Sequence, residues 1–346
     1  RMKAVVLTGP GELEMTERAI PSCGDHEVLV QVKACNLCKT DLKCLTMGQR
    51  DLVYPRVLGH EISGVIAEVG AAVTGYQKGQ RVHVHPGIAC GGCAYCEEGD
   101  DNLCDHMRIM GFNYDGGFQE YLIVPEEGVR GQIINIIEND TLSFEEISFI
   151  EPLSCCVNVQ EKLKLAPSDT LLIIGAGRMG ILNLRVAKAL GVQKVFLVET
   201  NPERAARALK LGFDAVFESY EAVCQALPAL TDGKGVDAAI PCCAAPEAMN
   251  LALRALKKRG RFGHFSGIIP DGATQPEINT LHYKEQIMAG AYGCGIAHSR
   301  RAKALLESGS LVVKDLITER IPLEELAHGL ERVRQLETLS TIVVFD

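Results

Sequence analysis

Residues 170–180 read TLLIIGAGRMG, and this stretch decides the fold class of the second half of the chain. An apolar run typical of a buried strand ends at a glycine-rich turn, and helical spacing follows over residues 179–190. In a G-x-G-x-x-G turn, the first glycine permits the tight turn, the second admits a phosphate, and the third lets the helix pack on the strand. The helix N-terminus adds N–H groups and a positive dipole. The stretch therefore predicts a site for a dinucleotide pyrophosphate.

Strands and helices alternate after this turn. A helix is predicted over residues 202–211, and further strands are predicted at residues 194–198, 215–217, 238–241, 260–265 and 286–289. Alternation of this kind is typical of a parallel sheet with crossover helices. The second half is therefore predicted to be an α/β, doubly wound parallel sheet.

Glu199 ends the second strand of this sheet. A carboxylate there can accept hydrogen bonds from both hydroxyls of an adenosine ribose, and it repels a 2′-phosphate. The cofactor is therefore predicted to be NAD rather than NADP. Arg204 follows on the next helix and would weaken this preference, but its position predicts a solvated helix face. The predicted cofactor-binding residues are Gly175, Gly177, Arg178, Met179, Gly180, Glu199 and Arg204.

The first half of the chain has a different texture, with short β-rich runs between glycines and prolines. Strands are predicted at residues 4–7, 27–33, 64–69, 81–84 and 119–124. The tail is predicted to contain an amphipathic helix over residues 323–336 and a last strand over 340–345. A chain of 346 residues exceeds one ordinary core, so two domains are expected.

Four cysteines in the first half follow the spacing C-x2-C-x2-C-x7-C, namely Cys90, Cys93, Cys96 and Cys104. Four thiolates at this spacing can surround one zinc ion and leave no position open for a substrate. The spacing therefore predicts a structural zinc site rather than a catalytic one.

An open metal site needs other donors, and the first half offers three short segments. Cys38 has a hydroxyl residue, Thr40, two positions on; His60 and Glu61 are adjacent; Glu151 lies near the expected domain junction. Cysteine, histidine and glutamate, with a fourth position open, suit a catalytic zinc. Each also has an ordinary structural interpretation, and spacing alone cannot bring the three segments together.

Composition excludes some classes of partner. The net charge of −9, with no long basic run, argues against nucleic-acid binding. No apolar stretch approaches membrane-spanning length, so no membrane partner is expected. Fourteen cysteines in a chain of this size favour a reducing compartment over a disulfide scaffold. We therefore expect a cytoplasmic protein.

The whole chain resembles the zinc-dependent medium-chain dehydrogenase/reductase superfamily, in its sorbitol (polyol) dehydrogenase-like branch. The motifs that carry the resemblance, in the family's order, are Cys38-x-Thr40-Asp41, Gly59-His60-Glu61-x-x-Gly64, the four-cysteine lobe, Asp115-Gly116-Gly117-Phe118-x-Glu120-Tyr121, Glu151-Pro152 and Gly175-x-Gly177-x-x-Gly180. The resemblance implies a GroES-like, β-rich catalytic domain over 1–153 with a zinc lobe at about 88–106. It also implies a Rossmann domain over 154–293, a return to the catalytic domain over 294–346, and an active site in the cleft between them.

The resemblance also assigns roles to single residues. Cys38 and His60 match the family's ligands of the catalytic zinc, and Glu61 matches the carboxylate that completes the shell. Glu151 matches an acidic residue that either binds this zinc or holds its water. Thr40 matches the hydroxyl that passes on the substrate's proton, and Asp41 the carboxylate that orients His60. Two zinc ions per chain are thus implied, one catalytic and one structural.

The implied reaction is hydride transfer from a secondary alcohol or polyol to NAD, giving the ketone. Two enzymatic alternatives stay open: an anionic substrate, suggested by the cations Lys39, Lys43, Arg50 and Arg56, and threonine-dehydrogenase-like oxidation of an amino alcohol. A third alternative is a non-catalytic redox sensor that uses the thiols Cys155, Cys156, Cys242 and Cys243. The predicted strand at 286–289 lies where the family pairs its sheets, so a homodimer or homotetramer is expected.

Overall fold

A computed structural model describes residues 1–336 and 338–346. Contacts divide the chain into two compact units. The first unit contains residues 1–154 and 294–346, and the second contains residues 155–293. The polypeptide therefore leaves the first unit once and re-enters it for the C-terminal segment.

The strands, in chain order, are β1 (Met2–Gly9), β2 (Glu12–Arg18), β3 (Val28–Asn36), β4 (Ile62–Val69), β5 (Arg81–Val84), β6 (Gly87–Ile88), β7 (Arg108–Ile109), β8 (Tyr121–Val124), β9 (Ile134–Ile136), β10 (Thr170–Ile174), β11 (Lys194–Val198), β12 (Ala215–Phe217), β13 (Val236–Pro241), β14 (Leu256–His264), β15 (Ile287–Gly290), β16 (Glu319–Ile321) and β17 (Thr341–Val344).

The helices are α1 (Lys39–Met47), α2 (Ala94–Glu97), α3 (Glu126–Arg130), α4 (Phe144–Ile147), α5 (Ile150–Lys162), α6 (Arg178–Ala189), α7 (Pro202–Ala208), α8 (Tyr220–Leu230), α9 (Pro246–Ala255), α10 (Asn279–Lys284), α11 (Ile296–Glu307) and α12 (Leu326–Gln335). Among the described residues, none of these helices has the length and apolar character that crossing a membrane requires.

The first unit is built around one mixed sheet. Its strands run in the order β16-β17-β3-β4-β5-β9, and β8 pairs with β3. Apolar side chains of these strands, among them Val30, Val32, Val82 and Val84, are fully buried in its core. The β-rich texture predicted for the first half is therefore confirmed.

The last strand of the chain joins this sheet next to a predicted metal ligand. Strand β17 pairs antiparallel with β3, with Ile342 opposite Asn36. The N–H of Leu37 also donates to the carbonyl of Thr341 at 2.9 Å. The segment that leads into Cys38 is thus held on one side by the C-terminal strand.

The second unit contains a six-stranded sheet in the order β12-β11-β10-β13-β14-β15. Each neighbouring pair is parallel. The strand order reverses at β10, which is where doubly wound sheets bind ligands at the carboxyl ends of their strands. The predicted doubly wound α/β sheet is confirmed.

The glycine turn connects β10 to α6 through close backbone contacts. Gly175 has a φ of +101°, which favours glycine. A Cβ at Gly180 would lie 1.9 Å from the carbonyl oxygen of Gly175, whereas a Cβ at Gly177 would meet nothing within 4 Å. The third glycine is therefore required by packing, and the second faces open space.

Several short elements of the first unit were not predicted from the sequence, among them β2 and α1. Strand β2 was not predicted, because its sequence ELEMTER is polar and its residues are mostly exposed beside β1. Helix α1 was not predicted either, although Cys38 and Asp41 form its capping box. The N-cap residue of a capping box is usually serine or threonine. Because Cys38 stands at this position, the sequence pattern did not predict the helix.

Substituting Gly180 with alanine is expected to destabilise the second unit. The new Cβ would clash with the carbonyl oxygen of Gly175, and overpacking of this kind costs about 1–3 kcal/mol of unfolding free energy. Urea unfolding of Gly180→Ala measures the loss. Gly177→Ala is the matched control and should unfold like the wild type. Equal stability of all three proteins would contradict the proposed packing role.

Candidate metal centres and dinucleotide-binding site

Three predicted metal ligands meet in the first unit. One donor atom from each of Cys38, His60 and Glu61 lies within 4.8 Å of the other two. Cys38 directly precedes α1, while His60 and Glu61 directly precede β4. The ends of a helix and a strand therefore bring together donors that are far apart in sequence.

Glu151 does not belong to this group of three donors. It lies in the first turn of α5, and its carbonyl oxygen is 3.9 Å from the Cys294 thiol, which donates to it. A direct bond from Glu151 to the metal of the Cys38 group thus stays a prediction.

Cys38 is held in place by the start of α1. Its backbone is extended, and its Sγ accepts the N–H of Thr40 at 3.5 Å. In return, the Asp41 carboxylate accepts the N–H of Cys38 at 2.9 Å. The sulfur and the half-buried Thr40 are thus fixed in one helical turn.

The second oxygen of Asp41 faces His60. Asp41 Oδ1 lies 3.3 Å from His60 Nδ1, and neither atom has a hydrogen-bond partner among the described residues. Burial lowers the pKa of His60, but Asp41 and Cys38 outweigh this and raise the pKa well above its usual value. A carboxylate at this ring nitrogen orients an imidazole whose other nitrogen binds a metal.

The donor set fits a zinc ion. Asp41 and Glu61 are both 0% exposed, and buried carboxylates need a cation or hydrogen-bond donors close by. Thiolate, imidazole and carboxylate are the donors of catalytic zinc sites, which keep a fourth position for substrate. These three residues would hold such an ion.

The four-cysteine lobe forms a second donor group. Sulfur atoms of Cys90, Cys93, Cys96 and Cys104 all lie within 4.8 Å of one another, and the Cys93 and Cys96 sulfurs are 3.6 Å apart. Tetrahedral zinc with Zn–S bonds of about 2.3 Å places its sulfurs roughly 3.8 Å apart. The spacing of the four sulfurs therefore fits one zinc ion.

Backbone N–H groups around the lobe favour thiolates. The N–H groups of Cys90 and His106 donate to the Cys104 sulfur at 3.2 Å and 3.3 Å. Backbone N–H groups of Cys96 and Asp105 lower the pKa of Cys93 to about 6. The thiolate is the form that binds metals, so these N–H groups favour metal binding at Cys93. Burial acts in the opposite direction at Cys96, whose pKa it raises to about 12, and at Cys104, whose pKa it also raises.

The predicted dinucleotide residues lie together at the carboxyl edge of the parallel sheet. Glu199 is 5% exposed, and its carboxylate accepts the N–H of Ala176 at 2.7 Å and that of Asn201 at 2.9 Å. Arg178 and Met179 form the first turn of α6. Because Gly177 faces open space, the turn has room for a pyrophosphate beside this carboxylate.

The expectation that Arg204 lies on a solvated helix face is wrong. Its guanidinium is 3.8 Å from the Glu199 carboxylate, and its side chain is only 19% exposed. The buried carboxylate of Glu199 attracts the guanidinium of Arg204, so the arginine side chain lies beside Glu199 and not in solvent.

Two family models match the chain. The alcohol dehydrogenase GroES-like domain matches residues 24–131, and the zinc-binding dehydrogenase model matches residues 179–308. The first range contains both candidate metal groups, and the second contains Gly180, Glu199 and the helix that follows.

Similar proteins cover the whole chain. L-galactonate-5-dehydrogenase of Escherichia coli strain K12 is 30% identical over 99% of both chains. Sorbitol dehydrogenase of Bacillus subtilis strain 168 is 29% identical over 97% of this chain and 94% of its own length. The crystal structure of a zinc-binding dehydrogenase from Sinorhizobium meliloti 1021, bound to NADP, has a TM-score of 0.90 at 29% identity and covers 99% of both chains.

The fold, the donor groups and these similarities define a zinc-binding dehydrogenase. The chain belongs to the zinc-dependent medium-chain dehydrogenase/reductase superfamily, in its sorbitol dehydrogenase-like branch. The predicted family, and the predicted fold class of a GroES-like domain with a Rossmann sheet, are confirmed.

Substituting Asp41 with asparagine is expected to weaken zinc binding at the Cys38 group by about 10–100-fold, the usual effect of removing a partner of a metal-binding histidine. Asparagine can still accept the Cys38 N–H, but it no longer presents a carboxylate to His60. Chelator competition measures the affinity, and elemental analysis counts the zinc ions. Asp140→Asn, at an exposed turn, is the control. If Asp41→Asn bound zinc as tightly as the wild type, the proposal that Asp41 orients His60 for the metal would be contradicted.

Proposed function

We propose that this chain is a zinc-dependent dehydrogenase that oxidises a secondary alcohol or polyol to the ketone, with NAD as hydride acceptor. The observation that carries the proposal is the convergence of Cys38, His60 and Glu61 donors within 4.8 Å. This convergence occurs in a chain that belongs to the zinc-dependent dehydrogenases.

Each residue of the first unit has a task in this proposal. Bound zinc supplies Lewis-acid polarisation of the substrate hydroxyl. Cys38, His60 and Glu61 hold the ion, and Asp41 orients His60. The hydroxyl of Thr40, two residues after Cys38, accepts the proton that the alcohol loses.

The second unit holds the hydride acceptor. The glycine turn and the N-terminus of α6 bind the pyrophosphate, and the Glu199 carboxylate accepts hydrogen bonds from the ribose hydroxyls. The alcohol carbon gives up a hydride and its hydroxyl gives up a proton, so the products are ketone, NADH and one proton. We propose residues 1–153 with 294–346 as the catalytic domain and 154–293 as the cofactor domain.

A polyol is the substrate class that the relatives support, because the family branch includes sorbitol dehydrogenase. An anionic polyol is a second candidate, since a 30% identical relative is an L-galactonate-5-dehydrogenase. One of the four cations that suggested an anionic substrate already has a partner. Arg56 is paired with Asp115 at 3.0 Å and donates to the Val53 carbonyl, which leaves it poorly placed to attract a substrate.

The alternative of a redox sensor has less support. Cys156 is fully buried, and desolvation raises the pKa of the Cys242 thiol above its usual range. Oxidation needs a thiolate, so burial of this kind makes both thiols inert. We also propose a cytoplasmic location, because fourteen cysteines, four of which are grouped as metal donors, suit a reducing compartment better than a disulfide scaffold.

We also propose that the chain forms a homodimer or homotetramer through β15. This strand is the last in the order of its sheet, and its residues Ile287 and Met288 are 59% and 37% exposed. An edge strand with exposed apolar side chains is a template for pairing with another chain. A two-fold axis would place two such edges side by side.

Substituting Cys38 or His60 with alanine is expected to reduce turnover by more than about 100-fold, since indirect changes at zinc sites already cost 10–100-fold. NAD binding, measured by calorimetry, should persist. The assay is initial NADH formation on polyols, simple secondary alcohols, threonine, sugar acids and sugar-alcohol phosphates. Cys224→Ala, an exposed cysteine, should retain full activity. Unchanged rates in Cys38→Ala and His60→Ala would remove the proposed metal role.

Substituting Ile287 with lysine is expected to shift the protein towards a monomer, because it puts a charge on the pairing edge. Light scattering coupled to size exclusion measures the mass. Leu209→Lys, in the same unit and 63% exposed at the end of α7, is the control and should keep the oligomer. A wild-type mass for Ile287→Lys would argue against pairing through β15.

A further inference from the structure

Helix α11 begins without a side chain of its own at the N-cap position. The N-cap residue is Gly295, whose N–H donates to Nδ1 of His298 at 2.9 Å. The N–H of the next residue, Ile296, donates to a carboxylate oxygen of Asp101 at 3.0 Å, from a position 195 residues away in the chain. Asp101 lies between the third and fourth cysteines of the four-cysteine lobe. The lobe therefore supplies the cap that the helix lacks.

The same carboxylate explains why residue 295 is a glycine. Gly295 has a φ of −94° and a ψ of 173°, which are extended values that any residue adopts. Its backbone conformation therefore does not require glycine. A Cβ at Gly295 would collide with Oδ1 of Asp101, and the three heavy atoms nearest to it all belong to Asp101. A side chain at this position would thus occupy the space that the carboxylate fills.

The backbone of Asp101 is linked to the last cysteine of the lobe. Asp101 begins a short 3-10 helix, Asp101–Leu103, and its carbonyl accepts the N–H of Cys104 at 3.1 Å. The sulfur of Cys104 lies within 4.8 Å of the other three lobe sulfurs. A metal ion on these sulfurs would hold Cys104 in place, and with it the carboxylate of Asp101.

Cys294, directly before the N-cap of α11, contacts a residue that the sequence predicts to act at the catalytic metal. Cys294 is 9% exposed, and its thiol donates to the carbonyl of Glu151 at 3.9 Å. Further along the helix, Ser299 accepts a hydrogen bond from the Asn135 side chain at 2.8 Å. Asp101 thus acts on the first turn, which is the part of α11 closest in sequence to Cys294.

We infer that Asp101 is a positioning residue that links the metal-loaded lobe to the first turn of α11 and, through Cys294, to Glu151. Loss of the carboxylate or of the lobe metal lets this turn open locally, without unfolding of the whole unit. Cys294 then loses its contact with Glu151. The catalytic consequence rests on the proposed function, because it needs Glu151 to act at the metal of the Cys38 group. The link between the lobe and the helix does not.

The first test measures local opening in the zinc-loaded full chain. Hydrogen exchange reports on peptides that cover residues 294–299, and iodoacetamide labelling, mapped by mass spectrometry, reports on Cys294. Asp101→Ala is expected to raise both rates by about 10-fold, the usual scale of a lost helix cap. Asp101→Asn keeps an acceptor oxygen and should restore most of the protection. Low urea should change neither rate, because a local opening exposes little surface.

Asp105→Ala removes an exposed acid from the same lobe and is the matched control, which should leave both rates unchanged. Equal acceleration in Asp105→Ala would overturn the inference, as would wild-type rates in Asp101→Ala. Rates that rise steeply with urea would also count against it, because they would report a loss of global stability alone.

A second variant tests the same contact from the helix. Gly295→Ala should displace the Asp101 carboxylate and raise both rates as Asp101→Ala does. When Asp101→Ala is already present, Gly295→Ala should have no further effect, because the atoms that its Cβ would meet are gone. Additive effects of the two substitutions would contradict the contact.

The dependence on metal is tested by removing one sulfur of the lobe. Cys96→Ser should raise both rates in the otherwise wild-type chain, but by less than about twofold when Asp101→Ala is present. Elemental analysis counts the remaining zinc. A full further increase in the double variant would mean that the lobe acts on α11 by another route. If Cys96→Ser does not fold, as judged by its unfolding transition, removal of zinc by a chelator from the wild type and from Asp101→Ala makes the same comparison.

Turnover tests the link to Glu151. In Asp101→Ala, NADH formation on the alcohol panel should fall by about 3–10-fold, the scale on which packed networks couple distant residues. NAD affinity, measured by calorimetry, should not change. Wild-type turnover in a variant with fast exchange would overturn the link to Glu151. If the wild type oxidises no alcohol, the proposed function fails, and exchange and labelling still decide whether Asp101 links the lobe to α11.

Discussion

The Asp41 carboxylate makes two contacts on which the candidate metal centre depends. One oxygen accepts the N–H of Cys38, and the other lies 3.3 Å from Nδ1 of His60. A single buried side chain thereby sets the start of helix α1 and the orientation of an imidazole from another segment. Because both contacts are desolvated, small changes at Asp41 should alter the metal site more than changes at exposed carboxylates.

The two donor groups of the first unit differ in how they are assembled. The four-cysteine lobe is local: its sulfurs come from one short stretch, and nearby backbone N–H groups stabilise its thiolates. The Cys38 group is assembled from distant segments. Strand β17 pairs with β3, the strand that leads to Cys38. Loss of zinc from the lobe should therefore disturb local structure, whereas the Cys38 site depends on the packing of the whole sheet.

Electrostatics in the second unit follow from one backbone arrangement. Close packing at Gly180 brings α6 onto β10, and the turn then offers the Ala176 N–H to Glu199. The same carboxylate lies 3.8 Å from the guanidinium of Arg204. Glu199 therefore connects the glycine turn, the start of α7 and Arg204 through one buried carboxylate.

Sequence alone determined the features that depend on local order. The turn at 175–180 and its alternating strands and helices predicted the doubly wound sheet, because periodicity and glycine positions are local properties. The four-cysteine spacing predicted a closed metal site for the same reason. Tertiary structure decided the remainder. Cys38, His60 and Glu61 meet only through the strands that position them, and Arg204 turns towards Glu199 because a buried charge outweighs the helical pattern. Contacts between distant segments depend on the packing of the whole unit, which no short window of sequence contains.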